Sequence, residues 1–358
     1  MALRLRTLTN AAVVLLAGVT LLSGCTKSED GASPSDDSSG GEQVVASSSP
    51  GGAGCTLTDY GSPKLDLKDA IVGFSQSEKE ANPFRIAETQ SIRDEAEKIG
   101  VKKLLVTNAQ SQLPKQISDI QDMLAQGAQF LIVAPLNSDG LEPALAEAAA
   151  KKVPVLTIDR KINATACKDY LAFLGSDFVD QGKRAADAMV KVTGGTGKVA
   201  ILLGASGNNV TTDRTNGFVE QLAATAPGLE IVAQQTGEFA RDKGQTVMEQ
   251  LISSNPEITA VYAENDEMAL GAVTALKTAG KKPGVDVKIV SIDGTRNAVQ
   301  AIVDGTINAV IESNPRFGPL AFKTAADFYS GATIPNDVII ADREYDSTNA
   351  KDSLAGTY

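Results

Sequence analysis

An acid and a base, Asp159 and Arg160, directly follow the apolar run of residues 153–158. The length and composition of this run predict a buried β-strand. In an open α/β sheet, side chains just past the carboxyl end of a parallel strand point into the ligand crevice. A carboxylate beside a guanidinium offers acceptors next to a fork of donors, which suits a ligand with vicinal hydroxyls. A solvated ion pair on the surface is the alternative interpretation.

Polar and aromatic side chains follow the other predicted strands in the same way. Asp and Asn oxygens accept hydrogen bonds from sugar hydroxyls, while Arg and the Asn amide donate to them. Phe84 and Phe239 can present flat apolar faces to the C–H face of a sugar ring, although core packing is their ordinary role. Singly, such residues are explained as helix caps, turns or surface groups, but their recurrence at strand ends predicts a binding site. The predicted ligand-binding residues are Glu80, Asn82, Phe84, Arg85, Asp159, Arg160, Arg214, Phe239, Asn265 and Asp293.

The elements that position these residues alternate between strand and helix from residue 68 onward. Strands are predicted at residues 69–74, 104–107, 130–134 and 155–158, with helices at 85–99, 116–126 and 141–151. After residues 170–174 the pattern restarts, with strands at 199–203, 230–233, 260–262 and 288–292 and helices at 179–192, 214–224, 243–253, 267–279 and 296–303. This alternation is typical of right-handed βαβ units. The predicted fold class is α/β, with two similar doubly wound parallel-sheet lobes and a binding site in the gap between them.

Length and composition exclude several functional classes. A chain of 358 residues can form two domains with separate cores. Its net charge of −11 argues against nucleic acid or an anionic membrane surface as a partner. The sequence has no His, which removes His-dependent nucleophilic triads and the commonest transition-metal ligand. It also lacks a P-loop and a dinucleotide fingerprint, so neither a cofactor nor a metal is expected.

The N-terminus has the features of an export signal. Two arginines precede a short apolar segment at residues 11–22, which predicts a signal peptide over residues 1–24. The tetrapeptide Leu-Ser-Gly-Cys that ends at Cys25 resembles the lipobox of bacterial lipoproteins, which implies cleavage before Cys25 and lipid attachment to its sulfur. Residues 25–65 are rich in Ser, Gly and Asp and are predicted to be a flexible tether. We therefore expect an extracytoplasmic protein, lipid-anchored to the cell membrane.

Cys55 and Cys167 are the two remaining cysteines. Outside the cytoplasm such a pair is a candidate disulfide, which would attach the end of the tether to the first lobe. Two unpaired and unreactive thiols are the alternative.

Over about residues 68–345, the chain resembles the type I periplasmic sugar-binding proteins, the ribose-binding-like solute receptors of ABC transporters. The motifs that carry the resemblance are Asn-Pro-Phe-Arg at 82–85, Ile-Asp-Arg at 158–160, Thr-Asp-Arg at 212–214, Gly-Glu-Phe-Ala-Arg at 237–241, Tyr-Ala-Glu-Asn-Asp at 262–266 and Ser-Ile-Asp-Gly at 291–294. The galactofuranose-binding branch is the most similar, through residues 72–76, 85–89 and 243–249. That branch has a Trp where Phe84 stands and a loop one residue shorter, which affects which sugar is bound.

The resemblance implies an architecture and a mode of action. The N-terminal lobe would comprise residues 66–174 plus 314–339, and the C-terminal lobe residues 175–313 plus 340–358, joined by a three-strand hinge. Sugar would contact both lobes and so stabilise the closed form. Hydrogen bonds to the sugar would come from Arg85, Asp159, Arg160, Arg214, Asn265 and Asp293, with Phe84 and Phe239 stacking. The implied protein is a monomeric receptor that captures a monosaccharide, galactofuranose-like or another pentose or hexose, and docks on an ABC permease.

Three alternatives differ in class from an importer receptor. Sugar-responsive repressors share this sensor fold, but they carry a DNA-binding segment where this chain has its export signal. A glycosidase would use Asp159 and Asp293 as paired carboxylates. Adjacent Arg residues are expected to keep both acids ionised, so neither would donate a proton well and no enzymatic activity is predicted. A sugar receptor that feeds a signalling or chemotaxis partner is compatible with the same residues.

Overall fold

The computed structural model describes residues 43–48 and 54–358. The strands of this part of the chain are β1 Val45–Ser48, β2 Gly54–Cys55, β3 Ile71–Gln76, β4 Lys103–Asn108, β5 Phe130–Val133, β6 Val155–Ile158, β7 Ala172–Gly175, β8 Gly197–Leu203, β9 Leu229–Thr236, β10 Ala260–Ala263, β11 Lys288–Asp293, β12 Ala309–Glu312, β13 Ile334–Pro335, β14 Asp337–Ile340 and β15 Glu344–Asp346. Its α-helices are α1 Leu57–Tyr60, α2 Pro83–Ile99, α3 Leu113–Ala125, α4 Glu142–Ala150, α5 Phe178–Thr193, α6 Asn209–Thr225, α7 Arg241–Ser254, α8 Asp266–Thr278, α9 Arg296–Val303, α10 Gly318–Ser330 and α11 Ala350–Ser353. None of these helices combines the length and apolar character needed to cross a membrane.

The strands form two large sheets, one in each lobe. The sheet of the first lobe has the order β1-β14-β7-β6-β5-β3-β4, and the sheet of the second lobe has the order β15-β12-β11-β10-β8-β9. Within these two sheets, all pairings are parallel except those of the edge strands β1 and β15. The prediction of an α/β fold with two parallel-sheet lobes is confirmed.

The central strands are apolar because helices cover both faces of each sheet, as parallel sheets require. Strands β5, β6, β7 and β10 are buried along their whole length. In the first lobe, Phe74 of β3 belongs to one core cluster with Ile92 of α2 and Phe322 of α10. In the second lobe, the ring of Phe218 stacks on that of Tyr262, with 4.0 Å between their centroids. Each lobe therefore supplies a rigid base for the loops at its strand ends.

Helix α6 begins five residues earlier than predicted. The Asn208 side chain caps it by accepting a hydrogen bond from the backbone N–H of Thr211. Arg214 consequently lies in the second turn of the helix instead of at its first residue. The sequence prediction missed this start because residues 209–213 contain a single apolar residue, Val210, and so carry no apolar helical period.

The chain passes between the two sheets three times, after β7, after β12 and after β14. Side chains link these passages to one another. Ser176 donates a hydrogen bond to Asp342 at 3.1 Å, and Gln181 donates to the same carboxylate at 2.7 Å. The amide of Gln181 also donates to the carbonyl of Glu312, at 3.3 Å.

Part of the predicted flexible tether, residues 25–65, has regular structure. Strand β1 pairs antiparallel with β14, and the Gln43 amide donates to the carbonyl of Asn314 at 2.7 Å. A disulfide bond joins Cys55 to Cys167, and β2 pairs with β13. Composition missed β1 because its side chains are all exposed, so its order comes from hydrogen bonds to a distant strand. The predicted signal peptide, residues 1–24, and the lipidation site Cys25 lie outside the described residues.

Candidate functional site

A small cavity lies between the two lobes. The first lobe contributes residues from the loop after β3, from the start of α2 and from the end of β6. The second lobe contributes residues from α6 and from the loops after β9, β10 and β11. The lining residues are Glu78, Asn82, Phe84, Arg85, Asp159, Arg160, Val210, Arg214, Phe239, Asn265 and Asp293.

Every predicted ligand-binding residue except Glu80 lines this cavity. Glu80 is exposed and does not line the cavity, so its contribution to the site stays a prediction. Glu78 takes its place, with its carboxylate 2.7 Å from Arg160 Nη2 and 3.2 Å from Arg85 Nε. No local pattern distinguishes two glutamates in one irregular loop, because distant residues hold that loop: the Asn108 amide donates to the Glu78 carbonyl at 2.6 Å.

The first wall of the cavity, formed by first-lobe residues, is a network of buried ion pairs. Arg85 Nη1 lies 2.7 Å from an Asp159 oxygen and 2.8 Å from an oxygen of Glu88. Glu88 follows Arg85 by three residues on α2, a helical spacing that identifies such a pair in the sequence. The guanidinium of Arg85 is therefore fixed before any ligand arrives.

Arg160 is 2% exposed and directs part of its guanidinium toward the cavity. Its Nη1 donates to the carbonyl of Leu136 at 3.1 Å, and its Nη2 donates to Glu78. Its Nε has no hydrogen-bond partner among the described residues, although the atom is buried. A buried donor without a partner is costly unless a ligand supplies an acceptor.

The second wall, formed by second-lobe residues, is built around Arg214. Its Nε donates to the Gln181 side chain at 2.9 Å, and its Nη1 donates to the backbone carbonyl of Glu264 at 2.6 Å. The nearest carboxylate, that of Asp293, is 3.4 Å from Nη2. Arg214 is therefore held mainly by neutral acceptors, and its ion pair is long.

The two asparagines that line the cavity are also helix caps. The Asn82 oxygen accepts from the backbone N–H of Phe84 at 2.9 Å at the start of α2. The Asn265 oxygen accepts from the N–H of Met268 at 3.0 Å, and its amide donates to the carbonyl of Phe239 at 3.1 Å. The capping and lining roles therefore coexist in the same side chains.

One aromatic ring from each lobe borders the cavity. Phe84 lies beneath the guanidinium of Arg85, 5.0 Å from its centre, and Phe239 lies 5.9 Å from the guanidinium of Arg160. Phe239 and Asp159 have positive φ angles of 59° and 64°, which side-chain-bearing residues adopt rarely. Strained backbone at the strand ends is a feature of ligand sites, where the surrounding structure holds it in place.

Burial and neighbouring charges lower the pKa of one carboxyl group of the site and raise the pKa of two others. Burial opposes ionisation of Glu78, but the guanidinium groups of Arg160 and Arg85 outweigh it and lower the pKa to about 2. Burial raises the pKa of Glu88 to about 7, against the attraction of Arg85. Burial also raises the pKa of Asp293 well above its usual range, aided by the nearby carboxylates of Asp266 and Asp159. The expectation that Arg neighbours would keep Asp293 ionised is therefore wrong, because the single long contact with Arg214 does not offset burial.

This arrangement is suited to binding a ligand that is rich in hydroxyl groups. The walls supply guanidinium donors, carboxyl and amide groups, and two flat apolar faces. Across the described ranges, residues 43–48 and 54–358, no cluster of His, Cys, Asp or Glu forms a metal site.

Comparison with known proteins places the chain in a family. A family model described as a periplasmic binding protein domain matches residues 72–333. The chain belongs to the periplasmic binding protein family. Within this family it is 36% identical over 273 residues to the galactofuranose-binding protein YtfQ of Escherichia coli, covering 75% of this chain and 85% of that protein. It is also 36% identical to the ribose import binding protein RbsB of Bacillus subtilis, covering 76% of this chain and 85% of that protein.

Solved structures of periplasmic binding proteins have the same fold. The crystal structure of a galactofuranose binding protein matches with a TM-score of 0.77 at 35% identity, over 80% of this chain and 97% of the other. A Mycobacterium smegmatis protein in complex with β-D-fucofuranose matches with a TM-score of 0.76 at 36% identity, over 80% and 94%. The arabinose-transporter component of Shewanella sp. ANA-3, bound to L-arabinofuranose, has the same TM-score at 34% identity and the same coverage.

Proposed function

We propose that this protein binds a monosaccharide in its furanose ring form between the two lobes and delivers it to an ABC permease. The lobes would be residues 66–174 plus 314–339 and residues 175–313 plus 340–358, which close on the sugar about the three passages between the sheets. A ligand that contacts both lobes binds the closed form more tightly than the open form, and this difference in affinity drives closure. The sugar is bound and released without chemical change.

One observation carries the proposal: each wall presents an arginine and a phenylalanine to the same small cavity. Arg160 and Phe84 face Arg214 and Phe239 across it. Guanidinium groups donate pairs of hydrogen bonds that fit vicinal hydroxyls, while the rings cover the apolar faces of a sugar. The unpartnered Nε of Arg160 marks a donor that a hydroxyl oxygen would satisfy.

The furanose form is favoured by the relatives. Three of the solved structures with this fold are a galactofuranose binding protein, a complex with β-D-fucofuranose and a complex with L-arabinofuranose.

A thermal-shift screen with locked ring forms tests the ligand. The chain from Thr26 onward, which lacks the lipidation site, is mixed with methyl furanosides and methyl pyranosides of galactose and arabinose, and with free ribose. We expect stabilisation by a furanoside, followed by a measurable Kd in calorimetry. Stabilisation by the pyranosides alone would contradict the furanose preference, and no response to any sugar would contradict the function.

We further propose that Cys25 carries the lipid that keeps the protein at the membrane. The Leu-Ser-Gly-Cys motif and the segment that separates Cys25 from the folded residues support this. Cys25→Ser should release the protein into the soluble fraction of the native host, while Cys55→Ser should leave it bound. Membrane association of the Cys25→Ser protein would count against the anchor.

A further inference from the structure

Tyr358 lies just outside the cavity lining and contacts residues of both lobes. Its ring meets the Phe84 ring edge-on, with 6.1 Å between the centroids and 80° between the planes. Its hydroxyl is 2.9 Å from the backbone oxygen of Asp293 and 3.0 Å from that of Ser313. Phe84 and Asp293 line opposite walls, and Ser313 starts the passage of the chain after β12.

The end of the chain is fixed in this position by arginines from two segments. The Arg316 guanidinium donates to the carbonyls of Gly356 and Thr357, each at 3.2 Å, and lies 5.8 Å from the Tyr358 ring. The backbone N–H of Arg296 donates to the Tyr358 carbonyl at 2.7 Å. These contacts hold residues 356–358 in place against segments from both lobes.

The Asp293 backbone requires support of this kind. Its φ of 133° is a conformation that only glycine adopts readily. Its carbonyl accepts hydrogen bonds from the Ser313 N–H at 2.8 Å and from the Tyr358 hydroxyl. These two bonds fix the orientation of a strand end whose carboxyl group faces the cavity.

We propose that Tyr358 is a positioning residue of the sugar site: it holds Asp293 through its hydroxyl and Phe84 through its ring when the lobes are closed. The inference rests on the proposed function. Phe84 belongs to the first lobe and Asp293 to the second, so Tyr358 contacts both together only in the closed arrangement. A residue that stabilises only the closed form lowers the dissociation rate of the sugar and leaves its association rate unchanged.

The test compares two variants, Tyr358→Phe and Tyr358→Leu, in the chain from Thr26 onward. The probes are L-arabinose, D-galactose and D-ribose, with Kd from calorimetry and rates from stopped-flow measurements. Loss of one hydrogen bond in Tyr358→Phe should raise Kd about fivefold, and loss of the ring as well in Tyr358→Leu about thirtyfold. Both increases should be in the dissociation rate, with the association rate within about twofold of the original.

Tyr329→Phe is the matched control. The Tyr329 hydroxyl donates to the Gln129 carbonyl at 3.1 Å in the core of the first lobe, away from the cavity. This variant should lose a similar amount of thermal stability and keep its Kd. If the Tyr358 variants bind the probes as tightly as the unchanged chain, the positioning role is wrong and the sugar function stands. If the unchanged chain binds none of the three sugars, both proposals fail.

Discussion

The two walls of the cavity hold their arginines by different means. In the first wall, Arg85 and Arg160 contact the carboxylates of Glu78, Glu88 and Asp159 at 2.7–3.2 Å. In the second wall, Arg214 is held by an amide oxygen and a backbone carbonyl, and its carboxylate partner is 3.4 Å away. The charged groups of the first wall are therefore already paired with one another. The second wall instead contains a carboxyl group, that of Asp293, without a short ion pair, and this group can hydrogen-bond to a ligand.

This difference matters because buried charges are costly when they lose a partner. A substitution in the first wall leaves an opposite charge stranded in the interior. A substitution at Asp293 in the second wall removes a group whose raised pKa already favours the neutral form. The predictions below test this asymmetry in order of decreasing effect.

Arg160→Ala should weaken sugar binding by about 3 kcal/mol or more, because it removes a buried donor and leaves the Glu78 carboxylate without its closest partner. Calorimetry with the sugar identified in the screen measures the loss. Lys161→Ala is the control, since its side chain is 45% exposed and its ion pair with Asp337 lies at the surface. An unchanged Kd for Arg160→Ala would remove Arg160 from the site.

The sugar-free protein should lose stability as pH rises from 5 to 8. Burial raises the pKa of Glu88 to about 7, so the folded state keeps a proton that the unfolded state loses near its ordinary pKa. The stability from this proton is fully present below about pH 4.5 and is lost as pH rises through about 7, by about 3 kcal/mol for this one group. Urea denaturation at several pH values measures the slope.

Glu88→Gln should flatten that slope without removing it. Asp266, which lies behind the second wall, has its pKa raised by burial to about 7 and remains in the variant. A slope identical to that of the unchanged chain would show that the proton of Glu88 does not contribute.

Asp159→Asn and Asp293→Asn compare the walls directly. Asp159→Asn should lower the free energy of unfolding by about 2 kcal/mol because it breaks the 2.7 Å ion pair with Arg85. Asp293→Asn should lower it by less than about 1 kcal/mol at pH 7, since an amide resembles a protonated carboxyl. Urea denaturation of both variants tests the order, and a larger loss for Asp293→Asn would contradict the asymmetry.

Glu78→Gln should cost about 1 kcal/mol of sugar affinity, because the Glu78 side chain is 18% exposed and solvent weakens its pairs with Arg85 and Arg160. Glu80→Gln, two residues further along the same loop, should have no measurable effect on Kd. Equal losses for the two variants would mean that the loop adopts another path when sugar is bound.

Features that depend on residues close together in the sequence were predicted. Features that depend on contacts between distant segments were not. Strand β6 was predicted with its observed ends because its apolar run and the acid that ends it are local features. The strand-end positions of Asp159 and Asp293 followed from the same alternation. Glu78 and Glu80 were not distinguished, because the direction of a loop side chain depends on contacts with segments distant in the sequence.

The sequence by itself determined the fold class, the two lobes and the edge of each sheet where polar residues collect, because hydrophobic period and helix caps act over a few residues. Tertiary structure decided how those residues are charged and supported. The raised pKa of Asp293, the ordering of β1 on β14 and the contact of Tyr358 with Phe84 each join segments far apart in the chain. Burial and distance set these properties, and both exist only once the lobes have packed.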